Sequence, residues 1–171
     1  PNFGSSQIDN SAILRNVIDA GAAGVDLFFV ISGYIMAYTY ERRRSSPLQF
    51  LKQRVLRIVP TYWLITLGWW LVLAVGSSYF RENYLDLGFL ISSLFFLSPV
   101  VGYGDPFILP GWTLEFEFFF YILFSASILI FPMRPSALLI LLLFAFSIFT
   151  GAFIVLEFAL GLLAFQLSKL I

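Results

Sequence analysis

The sequence predicts an all-α membrane protein, a polytopic transmembrane helical bundle with about five to six spans. Hydrophobic residues make up 60% of the 171 residues and charged residues only 12%, whereas soluble domains are roughly one-quarter charged. A chain of this length cannot hide so much apolar surface from water, because surface-to-volume scaling limits the buried fraction. Long apolar runs also recur along the chain. These observations exclude a soluble globule and predict a single membrane domain over residues 1–171.

The first span follows a mixed N-terminal segment. Residues 1–21 lack the basic and apolar regions of a signal peptide, so we expect an interfacial loop or helix there. Residues 22–40 form the first span, in which Asp26 is the only charged residue. Residues 41–58 contain six of the ten Lys and Arg residues, and the positive-inside rule places this basic loop in the cytoplasm.

In the rest of the chain, polar or Gly- and Pro-rich stretches separate the apolar runs. A second span covers 59–78, and a short polar turn covers 79–86. Residues 87–101 are barely long enough to cross a membrane, which leaves a tilted span or a re-entrant segment as alternatives. A loop rich in Gly and Pro at 102–111 precedes a span at 112–131. After residues 132–136, a turn near Thr150 and Gly151 divides the remainder into two short spans. Because the chain begins at Pro1 and ends inside an apolar run, we expect it to be part of a longer protein.

Composition also excludes several classes of function. The formal net charge is zero, so nothing in it favours a nucleic-acid partner. The absence of Cys and His removes disulfides, thiol nucleophiles and the commonest metal ligand. We therefore expect no metal site.

Acidic residues inside apolar spans are functional candidates, because a charge in lipid is costly and usually faces protein or water. The four are Asp26, Glu115, Glu117 and Glu157. Each could instead lie at a span end or pair with an Arg. Glu117 is four residues from both Thr113 and Tyr121, so the three share one helix face, which could orient a hydroxyl or simply pack against another helix. Glu115 points nearly the opposite way.

Two further patterns concern close approach and anion binding. Asp26 and Gly33 are seven residues apart and share a face, where Gly33 could admit another backbone or an acyl chain. Arg54 and Arg57 are three residues apart and could clamp a phosphate or pyrophosphate. Alternatively they could fix topology and contact lipid phosphates, the role that we assign to Arg42, Arg43 and Arg44.

Three stretches of this sequence match a known pattern in order and spacing. They are GAAGVDLFFVISGYIM at 21–36, F-x-x-x-R-x-x-R-I-x-P-x-Y from Phe50 to Tyr62, and G-W-T-L-x-x-E-x-x-F-Y from Gly111 to Tyr121. Together they resemble the integral-membrane acyltransferase family 3. The first and third stretches are most similar to its exopolysaccharide O-acetyltransferase branch. The late stretch LEFALGLLAF at 156–165 is similar to a segment of that branch.

The resemblance implies transfer of an acetyl or other acyl group from acyl-CoA to a hydroxyl of a cell-surface or lipid-linked polysaccharide at the bacterial inner membrane. The implied partners are acetyl-CoA as a donor substrate, the saccharide and the lipid bilayer, with no permanently bound cofactor and no nucleic acid. By this resemblance the assisting catalytic residues are Glu117, Asp26, Thr113 and Tyr121, and the donor-binding residues are Arg54, Arg57 and Tyr62.

The chain also departs from the family pattern. Members carry a further span before the stretch at 21–36, with an Arg and a His tied to catalysis, and this chain has no His. Because O-acylation needs a base for the hydroxyl proton, we expect the isolated chain to be inactive. Two other functions remain open: a transporter or channel subunit, since acids in spans often mark ion pathways, and a non-catalytic remnant.

Overall fold

The computed structural model describes residues 10–76, 86–108 and 111–170, and these ranges contain seven α-helices and no strand. This confirms the all-α prediction. The helices are α1 (Asn10–Arg43), α2 (Pro47–Val75), α3 (Leu87–Leu94), α4 (Ser98–Val101), α5 (Gly111–Ile130), α6 (Pro135–Thr150) and α7 (Val155–Leu167).

Three of the described helices are long and apolar enough to cross a membrane: the Ala20–Arg43 part of α1, all of α2 and all of α5. The apolar helices α6 and α7 have only 16 and 13 residues. At 1.5 Å per residue they reach about 24 and 20 Å, short of a hydrocarbon core of about 30 Å. The predicted turn between them is confirmed, because α6 ends at Thr150 and Gly151 follows in a left-handed conformation at φ 72°.

The basic stretch at 41–58 is almost entirely helical rather than a loop. Helix α1 continues to Arg43, and α2 begins at Pro47, leaving residues 44–46 as the connection. Ser46 caps α2, since its side chain accepts a hydrogen bond from the Gln49 N–H at 3.4 Å. Pro47 then occupies the first turn, where its missing N–H is tolerated. The first candidate span starts at Ala20, close to the predicted residue 22, and α1 is also helical over residues 10–19, within the segment predicted to be an interfacial loop or helix. Residues 1–9 and 77–85 lie outside the described ranges.

Residues 87–108 form a re-entrant segment rather than a span. Helices α3 and α4 have only eight and four residues. The Tyr103 hydroxyl donates to Asp86 Oδ2 at 2.8 Å, so the chain returns at Tyr103 to the start of the segment. Between the helices the Trp63 indole N–H donates to the Leu94 carbonyl at 2.8 Å. This bond satisfies one of the backbone groups that the break in the helix frees.

Helices α1 and α7 run side by side because two glycines allow close contact. A Cβ at Gly33 would overlap the Phe158 carbonyl, and a Cβ at Gly161 would overlap the Val30 carbonyl. Gly33 therefore admits the backbone of α7, the first of the two predicted alternatives. Phe29 of α1 and Phe158 of α7 are fully buried beside this contact, with ring centroids 4.7 Å apart.

The ends of five helices meet at one end of the bundle. Ser125 of α5 donates to the Pro47 carbonyl at 3.0 Å, and Lys169 Nζ lies 2.9 Å from Glu41 Oε2. We call this the basic end, because eight of the ten Lys and Arg residues lie on or next to the helix ends that converge there: Arg42, Arg43, Arg44, Lys52, Arg54, Arg57, Arg134 and Lys169.

Candidate active site

Glu117 is buried where α5 faces α1. Its carboxylate Oε1 accepts a hydrogen bond from Ser32 Oγ of α1 at 3.3 Å and another from the Tyr121 hydroxyl. Glu117 and Tyr121 are four residues apart on α5, so the helix itself brings the phenol to the carboxylate. The predicted pairing of these two side chains is therefore present, with a partner on a second helix.

Arg54 of α2 joins the same group of side chains. Its Nη2 donates to Thr39 Oγ1 of α1 at 2.7 Å. Its guanidinium carbon lies 5.7 Å from the centroid of the Tyr121 ring and 5.4 Å from that of Phe50, both within cation–π range. Tyr121 thus touches both the buried carboxylate and the guanidinium. We call Ser32, Thr39, Arg54, Glu117 and Tyr121 the Glu117–Arg54 network.

A cavity of about 210 Å³ lies against this network near the basic end. Three guanidinium groups line it, from Arg43, Arg54 and Arg57. Guanidinium groups present several N–H donors in a fixed geometry that matches phosphate oxygens, so this first cavity is chemically suited to a phosphate or pyrophosphate. Its other lining residues are Thr39, Tyr40, Ser45, Phe50 and Gln53.

The remaining predicted residues lie in three different places. Thr113 is half-buried one turn from Glu117 on the same face of α5. Tyr62 is buried, with its hydroxyl 2.7 Å from Ser93 Oγ, and lines a separate cavity of about 430 Å³ that Arg57 also lines. Asp26 lies beside Glu157 of α7 and outside the contacts of the Glu117–Arg54 network.

Sequence reasoning missed three contributors to the site. Ser32 and Thr39 bond to Glu117 and Arg54 from α1, and they are seven residues apart, which places them on one helix face. This seven-residue spacing is the sequence signal for their shared face, and it is the same as the spacing of Asp26 and Gly33. Arg43, for which the sequence predicts a role in topology and lipid contact, lines the first cavity.

Glu115 is buried on the opposite side of α5, as its spacing predicts. Neither of its carboxylate oxygens has a hydrogen-bond partner within the described ranges, and the same is true of the buried Ser98 hydroxyl. Ser98 and Glu115 are neighbours where α4 meets α5. No cluster of three or more acidic residues that could hold a metal occurs in the described part of the chain.

Comparison with known proteins gives the family. A family model described as an acyltransferase domain matches residues 2–169. The chain is 45% identical over 113 residues to the exopolysaccharide production protein ExoZ of Rhizobium meliloti, covering 63% of this chain and 34% of that protein. It is 31% identical over 129 residues to the peptidoglycan O-acetyltransferase OatA of Listeria monocytogenes, covering 65% and 20%. It is 28% identical over 162 residues to the O-acetyltransferase OatA of Staphylococcus aureus, covering 84% and 26%.

The chain thus spans about a third or less of the length of these curated relatives. No solved structure matches it significantly. The family model nevertheless covers almost all of its residues, including every side chain of the Glu117–Arg54 network. The chain belongs to the family of membrane acyltransferases described by this acyltransferase domain.

Proposed function

We propose that this chain is part of an O-acyltransferase of the bacterial inner membrane, which moves an acetyl group from acetyl-CoA to a hydroxyl of a cell-surface or lipid-linked polysaccharide. The observation that carries the proposal is the Glu117–Arg54 network, in which Tyr121 joins a buried carboxylate to a cavity lined by three guanidinium groups. The printed names of the relatives, an exopolysaccharide production protein and two O-acetyltransferases, support the reaction class and the saccharide acceptor.

We assign roles in this reaction to five of the predicted residues. In the reaction the hydroxyl oxygen of the acceptor forms a bond to the thioester carbonyl carbon and the carbon–sulfur bond breaks, while the hydroxyl proton passes through a base to the CoA thiolate. Arg54 and Arg57 hold the phosphates of the donor. Glu117 orients the acceptor hydroxyl or the base, and Tyr121 and Thr113 supply hydrogen bonds. This chain contains no His, so an imidazole base would come from residues beyond these 171.

The test is acetyl transfer in membrane vesicles that contain the protein as its gene encodes it. Labelled acetyl-CoA is supplied with a polysaccharide acceptor, and Glu117→Gln is expected to lower kcat about a hundredfold, because it removes the charge that orients the proton transfer. Arg54→Gln is expected to raise the KM for acetyl-CoA about tenfold with a smaller change in kcat, because a charge-assisted bond to phosphate is lost.

Matched controls separate these effects from a general loss of charge. Asp105→Asn removes an exposed carboxylate at the re-entrant segment, and Arg42→Gln removes an exposed guanidinium that contacts Tyr38 on α1. Both should transfer acetyl groups at the rate of the unmodified protein. Normal transfer by Glu117→Gln would remove Glu117 from the mechanism, and the absence of any acetyl transfer by the unmodified protein would overturn the proposed reaction.

A transport function is the second candidate, and the Asp26–Glu157 pair is the observation that favours it. The exposed Asp26 of α1 and the half-buried Glu157 of α7 are neighbours where the two helices meet. Acidic residues within membrane spans often mark proton or ion paths. Proton-coupled flux in proteoliposomes, without consumption of acetyl-CoA, would favour transport over acyl transfer.

A further inference from the structure

The basic end contains a second cavity, which has no role in the reaction proposed above. It has a volume of about 350 Å³ and lies where the ends of α1 and α7 meet the turn between α5 and α6. Three cationic side chains line it, and each comes from a different part of the fold: Arg44 after α1, Arg134 before α6 and Lys169 after α7. We call it the second cavity.

The charge of the second cavity favours an anion. Glu41 forms ion pairs with Arg44 and Lys169, both at 2.9 Å, and it is the one acidic residue among the lining side chains. Arg134 forms no ion pair with any described residue. Three cations against one carboxylate leave a net positive charge.

The two cavities are adjacent. Tyr40 lines both of them, and its hydroxyl donates to the Pro132 carbonyl at 3.4 Å. The consecutive residues Arg43 and Arg44 face the first and the second cavity respectively. A ligand with two separated phosphate groups can therefore occupy both cavities by passing one side chain.

We propose that Arg44, Arg134 and Lys169 form a second phosphate site, which takes the 3′-phosphate of the CoA donor while its pyrophosphate lies in the first cavity. This inference rests on the proposed function for the identity of the donor. CoA carries its phosphates in two groups, a pyrophosphate and a phosphate on the ribose, and the two cavities provide cations for two groups. The phosphate of a lipid headgroup has the same chemistry and is the other possible source.

The experiment measures binding of two ligands that differ only in this phosphate. CoA and 3′-dephospho-CoA are titrated against the full protein in nanodiscs of zwitterionic lipid. The unmodified protein should bind CoA about tenfold more tightly, a ratio typical of one charge-assisted contact. In Arg134→Gln and Lys169→Gln this ratio should fall towards one, with the affinity for 3′-dephospho-CoA unchanged.

Two further variants separate the site from a structural role. Glu41→Gln removes the carboxylate that opposes the phosphate, so it should tighten CoA binding without changing the binding of 3′-dephospho-CoA. A purely structural ion-pair cluster predicts the reverse, weaker binding of both ligands. Arg54→Gln should weaken both ligands equally and preserve their ratio, because it acts on the pyrophosphate in the first cavity.

Three other results would contradict the second phosphate site or the proposed function. A ratio that Arg134→Gln and Lys169→Gln leave unchanged would overturn the second phosphate site while leaving donor binding intact. If those variants lose only the binding of anionic lipid added to the nanodiscs, the cavity is a headgroup site and the proposal is wrong. If neither nucleotide binds the unmodified protein, the proposed function fails together with the site.

Discussion

At the scale of single residues, the site depends on which polar side chains reach across helices. The sequence predicts the pairing of Glu117 with Tyr121, because both residues lie on one helix and their spacing fixes their relation. It does not predict that Ser32 and Thr39 complete the network, because contacts between helices depend on the rotation and depth of each helix. Asp26 illustrates the same limit, since it is on the correct helix but faces Glu157 instead of Glu117.

The Tyr103–Asp86 bond makes the stability of the re-entrant segment depend on pH. Hydrogen bonds from the Tyr103 hydroxyl and from the Gly88 N–H stabilise the carboxylate and lower the pKa of Asp86 below its ordinary value of 3.8. A carboxyl with a lowered pKa in the folded state contributes stability above its unfolded pKa, and this contribution is lost as the pH falls through the folded pKa. The contact between Tyr103 and Asp86 should therefore stabilise the segment most near neutral pH and less in acid.

We expect Tyr103→Phe to lower the melting temperature at pH 7 and to make little difference well below pH 3.8, where Asp86 is protonated in both proteins. Melting is followed by tryptophan fluorescence in detergent. Asp86→Asn should show the same pattern. The melting temperature of the double variant should be no lower than that of either single variant, because both changes remove the same bond. If Tyr103→Phe lowered the melting temperature equally at both pH values, this account would be wrong.

At the scale of elements, the sequence predicts helices more reliably than their ends. The apolar runs locate α1, α2 and α5, because a span needs about 20 apolar residues and little else. The basic stretch between α1 and α2 is misread as a loop, since its Arg residues indicate a membrane boundary but do not break a helix. The alternative for 87–101 is decided only by contacts such as Trp63 to Leu94, which lie far apart in sequence.

The contact between α1 and α7 depends on the absence of two side chains. Gly161→Ala should destabilise the protein by roughly 1–3 kcal/mol, because its Cβ would collide with the Val30 carbonyl, and a backbone group cannot move aside easily. Gly24→Ala on α1 is the matched control, since a Cβ there meets no atom within 4 Å. It should be neutral or stabilising by up to about 1 kcal/mol, because Ala favours the helix over Gly.

Thermal unfolding of the two variants in detergent measures the difference, with helix content checked by circular dichroism. The expected order of melting temperatures places Gly24→Ala at or above the unmodified protein and Gly161→Ala clearly below it. Equal melting temperatures would mean that α7 can shift away from α1 without cost.

At the scale of the whole molecule, the charges are sorted between the two ends of the bundle. Eight of the ten cations meet at the basic end, whereas Asp86 and Asp105 belong to the re-entrant segment away from it. The sequence already placed six of these cations together. Arg134 and Lys169 join them only because the α5–α6 turn and the end of α7 return to the same level.

The sorted charges predict the orientation of the whole bundle. By the positive-inside rule the basic end should face the cytoplasm. These 171 residues contain no Cys, so single cysteines introduced here give an unambiguous signal once any Cys elsewhere in the full protein has been replaced. We expect Gln49→Cys and Ser136→Cys to react with an impermeant maleimide only in inverted vesicles, and Asp105→Cys only in right-side-out vesicles. Labelling of positions 49 and 136 from opposite sides would contradict the fold as well as the orientation.

The sequence by itself determined the membrane environment, the helical class, the candidate carboxylates and the basic stretch, because these follow from composition and from spacing within one helix. The tertiary structure decided that 87–108 re-enters, that Asp26 pairs with Glu157 rather than with Glu117, and that two cationic cavities share Tyr40. The physical reason is that a helix fixes the direction of its own side chains, whereas the packing of small residues such as Gly33 and Gly161 fixes which faces of different helices meet.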